Sequence, residues 1–222
     1  MQQRMTELSL LAEADERART YTASLDHRRV FPDTAALDGL RRFQESLPAH
    51  GRPAAETLRL LDESGSPATV TSNGPRYFGF VIGAVLPAAS AAERLVLAWD
   101  QCASSFANSP AAATIERIAA GWVLDILDLP RQSAIGFGTS ATACALSCIA
   151  VARRALLARK GWDFDGDGLL GAPPIRVVMS ATAHITVKKA LRMLGFGMNR
   201  IVVAAVDEYG RIDADRLPPL DD

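Results

Sequence analysis

Gly136-Phe137-Gly138-Thr139-Ser140-Ala141-Thr142 is a run of mostly small residues standing directly before a long alanine-rich stretch, 142 to 159. Small side chains let backbone N–H groups approach an anion closely, and the helix expected after them adds its positive N-terminal end. Thr139, Ser140 and Thr142 contribute hydroxyl donors. The segment reads either as a phosphate cup or as an ordinary tight turn before a helix. The residues beyond that helix decide the fold class. Ile175 to Met179 is a continuous apolar run, His184 to Leu194 is a helical stretch closed by Gly195, and Ile201 to Val206 is a second apolar run. Continuous apolar strands separated by helices indicate a parallel sheet covered on both faces, hence an α/β fold.

Open α/β sheets place ligands at the carboxyl ends of their strands. Ser180-Ala181-Thr182-Ala183-His184 occupies such an end. A histidine there can stack on a planar aromatic ring or move a proton, and it can equally be a helix cap or a surface residue. His27 and His50 lie in the N-terminal helical region without that setting.

Three phosphate chemistries compete for the glycine-rich loop. A Walker A loop ends in Gly-Lys-Ser/Thr, and no lysine is present here. Gly136-x-Gly138-x-x-Ala141 meets the loose dinucleotide fingerprint, but Asp128 to Ile135 is a poor strand and no acidic residue stands where a ribose would need it. A pyridoxal-phosphate cup is the third reading. Elsewhere, Asp163-Phe164-Asp165-Gly166-Asp167-Gly168 imitates the start of an EF-hand, but Pro174 stands where the bidentate glutamate belongs, so the segment reads as a solvated acidic loop. Cys102, Cys144 and Cys148 have no disulfide-framework spacing and read as buried, reduced thiols. No metal site is expected.

Towards the N-terminus the character changes. Residues 6 to 26 carry Leu8, Leu11, Ala14, Ala18, Tyr21 and Leu25 at spacings of three and four, which indicates an amphipathic helix. Shorter helices are expected over Thr34 to Ser46 and Ala54 to Ser64. A helical segment over 1 to 72 with one apolar face per helix needs something to pack on. From Asn73 the chain becomes aromatic and glycine-rich through Gly74-Pro75-Arg76-Tyr77-Phe78-Gly79-Phe80, and helices are expected over Ala88 to Trp99 and from Pro110 to about Leu127. The expected organisation is therefore a helical segment, 1 to 72, and then the first part of a large domain, 73 to 222.

Composition narrows the function classes. The 222 residues are 49% hydrophobic and 22% charged, with net charge -1, so no basic face for nucleic acid and no polybasic membrane segment is expected. No apolar run reaches the roughly 20 residues that span a bilayer, and Met1 to Glu7 is polar with no signal-peptide core after it. The expectation is a cytoplasmic protein.

The loop Gly136 to Thr142, then Ile175-Arg176-Val177-Val178-Met179-Ser180 with Ala183-His184, resembles the group II pyridoxal-phosphate-dependent decarboxylases, the family of the aromatic amino-acid, tyrosine and glutamate decarboxylases. Val187 to Gly195 is similar to the helix after the family's histidine, and Asp207-Glu208-Tyr209-Gly210-Arg211-Ile212-Asp213 to its next turn. Pro75 to Phe80 and Asn108-Ser109-Pro110-Ala111 also match family patterns, so the resemblance covers roughly 28 to 222. It implies an aspartate-aminotransferase-like large domain, α-decarboxylation of an L-amino acid, pyridoxal 5′-phosphate as cofactor and a homodimer. It places Thr139, Ser140, Ala141 and Thr142 at the cofactor phosphate, His184 on the pyridine ring, and Phe78, Phe80 and Phe106 near the substrate pocket. The chain departs from the pattern after Thr142, where Ala143-Cys144-Ala145-Leu146 replaces more polar residues.

The resemblance also implies a Schiff-base lysine and an acidic partner for the pyridine nitrogen, both well after the histidine. The lysines here are Lys160, Lys188 and Lys189, none in the setting of a desolvated, activated amine. With Asp221-Asp222 coming after only two clear strands, the expectation is a truncated product, inactive alone.

Overall fold

The computed structural model describes residues 2–217, so Asp221-Asp222 lies outside the described residues. The chain divides into two compact units, Met1–Gln101 and Cys102–Asp222. The change of sequence character at Asn73 falls inside the first of them.

The first unit is helical. It begins with α1 (Gln2–Ala23), the helix read from residues 6 to 26, then α2 (Thr34–Gly39) and a 3-10 turn over Leu40–Phe43. The Asp33 side chain caps α2 by accepting from the Ala36 N–H. Next comes α3 (Ala54–Leu60), which runs into a π turn over Leu61–Gly65. Polar contacts tie α1 to that turn and the loop after it. Arg17 Nη1 donates to Asp62 Oδ2 at 2.7 Å, Tyr21 Oη lies 2.7 Å from Thr69 Oγ1, and the Arg28 guanidinium sits 4.2 Å over the Tyr21 ring. The apolar stripe on α1 is covered only in part: Leu8 and Leu11 stay exposed, while Tyr21 and Leu25 are half-buried. The unit ends in α4 (Pro87–Trp99), whose described residues are exposed throughout. Asp100 closes it in the left-handed conformation, φ 47°, with its N–H donating to Val96 O.

The second unit opens on α5 (Pro110–Ile126). The wholly buried Ser109 caps it, its Oγ accepting from the Ala112 N–H at 3.3 Å, and Pro110 at the first helical position has no N–H to satisfy. After the glycine-rich loop comes α6 (Ala141–Arg159). The acidic segment is not a plain loop: it folds into the single-turn α7 (Phe164–Asp167), because Asp163 caps it and Arg154 clamps Asp165. Then come β1 (Val178–Ser180), α8 (Ile185–Met193) and β2 (Val202–Ala204). The two strands are parallel, Val178 beside Val202 and Ser180 beside Ala204, as the alternation of apolar runs and helices required. Both are shorter than the runs that announced them. The expected cover on both faces is incomplete: Met179 and Ala204 are buried, but Val203 is 59% exposed.

The cysteines correct another expectation. Cys102 and Cys148 are exposed and Cys144 is half-buried, all three as free thiols. Cys148 sits on an uncovered face of α6, and Cys102 lies in a loop where its thiol is pulled below its ordinary range by hydrogen bonding with Ser104. By length and composition alone, α6 is apolar enough to cross a bilayer. Within it, however, Arg153 reaches across to α8, donating to Leu194 O at 2.6 Å, which is the behaviour of a packed helix.

Candidate functional site

The site is built from two helix N-termini. The first is that of α6. Ser140 has extended backbone and is the cap, its Oγ accepting from the Ala143 N–H at 3.2 Å. The first intrahelical bond runs from Cys144 N to Ser140 O. Ala141 and Thr142 thus occupy the first two helical positions, whose N–H groups have no carbonyl to bond in their own helix. Thr139, Ser140 and Ala141 are exposed and Thr142 is half-buried. The loop is held against its helix at Gly138, where a Cβ would lie 2.7 Å from Cys144 Sγ.

The second is that of α8. The turn between β1 and α8 is closed by hydroxyls: Ser180 Oγ lies 3.0 Å from Thr182 Oγ1 and accepts from the Thr182 N–H, while Ala183 N donates to Ser180 O. His184 is the cap of α8. Its Nδ1 accepts from the Thr186 N–H at 3.3 Å and lies 3.0 Å from Thr186 Oγ1, and the residue is exposed. The capping role that the sequence allowed is therefore present, and it leaves Nε2 unused by the cap.

The packing sets these two ends relative to each other. Helix α6 packs on α8. Arg153 and Leu157 near the end of α6, Leu194 after α8, and Ile175 and Ile201 before the two strands line one cleft. Strand β1 leaves that cleft, and α8 returns to it from the strand's carboxyl end. Residues near the C-terminal ends of both helices thus line the same cleft, while α8 starts at the carboxyl end of β1. At 1.5 Å per residue, Arg153 lies about 20 Å beyond the Ser140 cap and Leu194 about 15 Å beyond His184. The open N–H groups and positive end of the α6 N-terminus suit an anion.

Beyond β2, at the same edge, a small hairpin turns at Asp207, with Val206 bridging Ile212. The Arg211 N–H, helped by its guanidinium and the Tyr209 N–H, holds the Asp207 carboxyl below its ordinary range.

The aromatic residues are placed differently. Phe78 and Phe80 lie in an exposed loop of the first unit, 93% and 91% accessible, with Phe80 and Val81 both at positive φ; Phe106 is exposed in the second unit. In this chain the three aromatic rings are uncovered surface. Two residues without a role in the sequence reading shape the site. Thr186 fixes the His184 ring, and Arg153 ties α6 to α8 while its guanidinium lies 4.6 Å over the Phe164 ring. The pair Arg153-Arg154 inside a largely apolar helix was the available signal for the second.

No family model matches the chain. It is 26% identical to tryptophan decarboxylase 1 of Oryza sativa subsp. japonica, across 94% of this chain and 42% of that protein. It is 27% identical to the L-2,4-diaminobutyrate decarboxylase of Rhizobium meliloti, across 82% of the chain and 34% of the relative. The chain thus spans less than half the length of the curated relatives it matches. Among solved structures, mouse CSAD superimposes with a TM-score of 0.82 at 18% identity, covering 96% of this chain and 45% of that one. Oryza sativa TDC, solved with PLP, superimposes at 0.76 with 25% identity, covering 94% and 46%. These likenesses show a fold like that of part of the fold-type I pyridoxal-phosphate decarboxylases. Over nearly its whole length, the chain is similar in sequence and in fold to the N-terminal portion of the group II pyridoxal-phosphate-dependent amino-acid decarboxylases, whose cofactor is pyridoxal 5′-phosphate.

Proposed function

We propose that the chain supplies the phosphate-binding and ring-facing part of a cytoplasmic, pyridoxal-phosphate-dependent enzyme that α-decarboxylates an L-amino acid, working as a homodimer. The observation that carries this reading is the N-terminus of α6, capped by Ser140 with Ala141 and Thr142 at its open first positions, beside the capping of α8 by His184 just after β1. These residues fit the cofactor. Ala141 and Thr142 offer helix-end N–H groups to a phosphate, Thr139 and Thr142 add hydroxyls, and the close approach of Gly138 to Cys144 keeps side chains out of the loop's inner side. His184 keeps its ring face and Nε2 available to a planar ligand. The cofactor, when bound, acts as the electron sink for the bond to the departing carboxylate. The helical segment 1 to 72 and the exposed apolar loop around Phe78 and Phe80 are the surfaces proposed to meet a second subunit.

Within these residues the lysines do not support chemistry alone. Lys160 caps the C-terminal end of α6 and is exposed; on α8, Lys189 is exposed and Lys188 half-buried. None of the three stands in the desolvated pocket that activates an amine as a nucleophile. The 222-residue chain is proposed to bind cofactor phosphate without decarboxylating anything by itself.

The test is titration of the chain with pyridoxamine 5′-phosphate, which has no aldehyde to trap a stray lysine, in wild type and Thr142→Asp. An acid in the first turn favours the helix but repels a phosphate, so folding stability should hold or rise while affinity falls about tenfold or more, roughly 1.4 kcal/mol. Absence of binding, or equal binding by the variant, would overturn the assignment of the loop.

A further inference from the structure

The hydrogen bonds around His184 decide which ring nitrogen carries the proton. Nδ1 faces the Thr186 backbone N–H at 3.3 Å, and Thr186 Oγ1 lies 3.0 Å from the same nitrogen. A backbone N–H can only donate. A proton on Nδ1 would point at another proton, so in the neutral ring Nδ1 must be the acceptor and Nε2 carries the hydrogen. The Thr186 hydroxyl, free to rotate, can donate to the same lone pair and reinforce the choice.

We infer that Thr186 is a positioning residue that holds neutral His184 in the Nε2–H tautomer, so that the imidazole meets a ligand as a stacking face and a hydrogen-bond donor, and not as a base. The consequence deepens the proposed function and rests on it. Of the two roles open to His184, stacking and proton transfer, this geometry favours stacking with donation from Nε2, for which the carboxylate of an amino-acid substrate is a suitable acceptor. To take up a proton on Nδ1, the ring would have to give up the bond that caps α8.

The measurement needs no ligand, so it stands apart from the cofactor assignment. The chain has three histidines, and His27 and His50, both exposed, serve as internal references. Long-range proton–nitrogen correlation spectra of the full chain, recorded well above the imidazole titration range, report the tautomer of each ring. His184 should show the Nε2–H pattern, with a tautomer ratio about fivefold above that of the references, the factor given by one hydrogen bond of ordinary net strength. Thr186→Val keeps the size and the backbone N–H and removes the hydroxyl, so the ratio should fall part of the way towards the references. Thr186→Ser should restore it. An Nδ1–H pattern in wild type, or a Thr186→Val spectrum unchanged at His184, would overturn the inference. Adding pyridoxamine 5′-phosphate afterwards tests the cofactor reading separately, by whether the His184 resonances move.

Discussion

Gly138 is the position where the loop and its helix press on each other most closely, and its replacement by alanine gives a prediction with a sign. A Cβ built there would meet Cys144 Sγ at 2.7 Å, then nothing nearer than Cys144 N at 3.7 Å and Ala143 Cβ at 3.9 Å. The first contact is about 0.7 Å inside ordinary van der Waals distance, and the others are normal. Forcing a methyl into such a gap typically costs about 1–3 kcal/mol. Gly138 does not sit at positive φ, so alanine is compatible with its backbone and returns about 0.4–1 kcal/mol by restricting the unfolded chain. In the wild-type background, Gly138→Ala should therefore destabilise by about 1–2 kcal/mol. In a Cys144→Ala background the offending sulfur is gone and only the unfolded-state term remains, so the same substitution should stabilise slightly. A double-mutant cycle by urea unfolding reads the difference as a coupling equal to the steric term, about 1–3 kcal/mol. Additive effects in the two backgrounds would refute the close approach of loop to helix, and with it the account of how the N-terminus of α6 is kept open.

The first unit carries two further predictions. Asp100 holds φ 47° at the end of α4, a conformation that glycine adopts without steric cost, so Asp100→Gly should raise stability by about 0.5–1 kcal/mol, read from the urea midpoint with neighbouring Trp99 as reporter. Ser66 and Arg17 together hold the Asp62 carboxyl below its ordinary range. A depressed carboxylate contributes stability above its unfolded pKa of about 3.9 and loses it as pH falls through the folded value, so Asp62→Asn should lower the midpoint at neutral pH and narrow the gap between neutral and acid midpoints. An equal gap in the variant would show that the pair contributes nothing to folding.

Local signals were legible in the sequence wherever one residue type has one mechanical use. Pro110 after Ser109, Gly195 after α8 and the small residues before α6 each marked an element end, and the structure places elements there. The parallel pairing of β1 with β2 was legible because apolar runs separated by a helix leave few other arrangements. Burial was not legible. The leucines of α1, the cysteines of α6 and Val203 have the composition of a core and are largely exposed, because periodicity shows which face is apolar and not whether anything covers it. The aromatic loop illustrates the same point: Phe78 and Phe80 could be read as pocket or core, and in the chain by itself they are neither.

The site residues differ in how they could be found. Ser140 and Thr142 act through the backbone that small residues expose, so the loop itself announces them. His184 is recognisable only through its address, one turn beyond the carboxyl end of a strand, and what it can do there is set by Thr186, two residues on, which nothing in composition marks. Arg153 is further removed still. It touches neither N-terminus, yet by bonding Leu194 O it joins the far end of α6 to the far end of α8. Two packed helices tied by such a bond have less freedom to slide past each other. That tie lies roughly 15–20 Å along each helix from its N-terminal cap, a distance set by helix rise and not by any local motif.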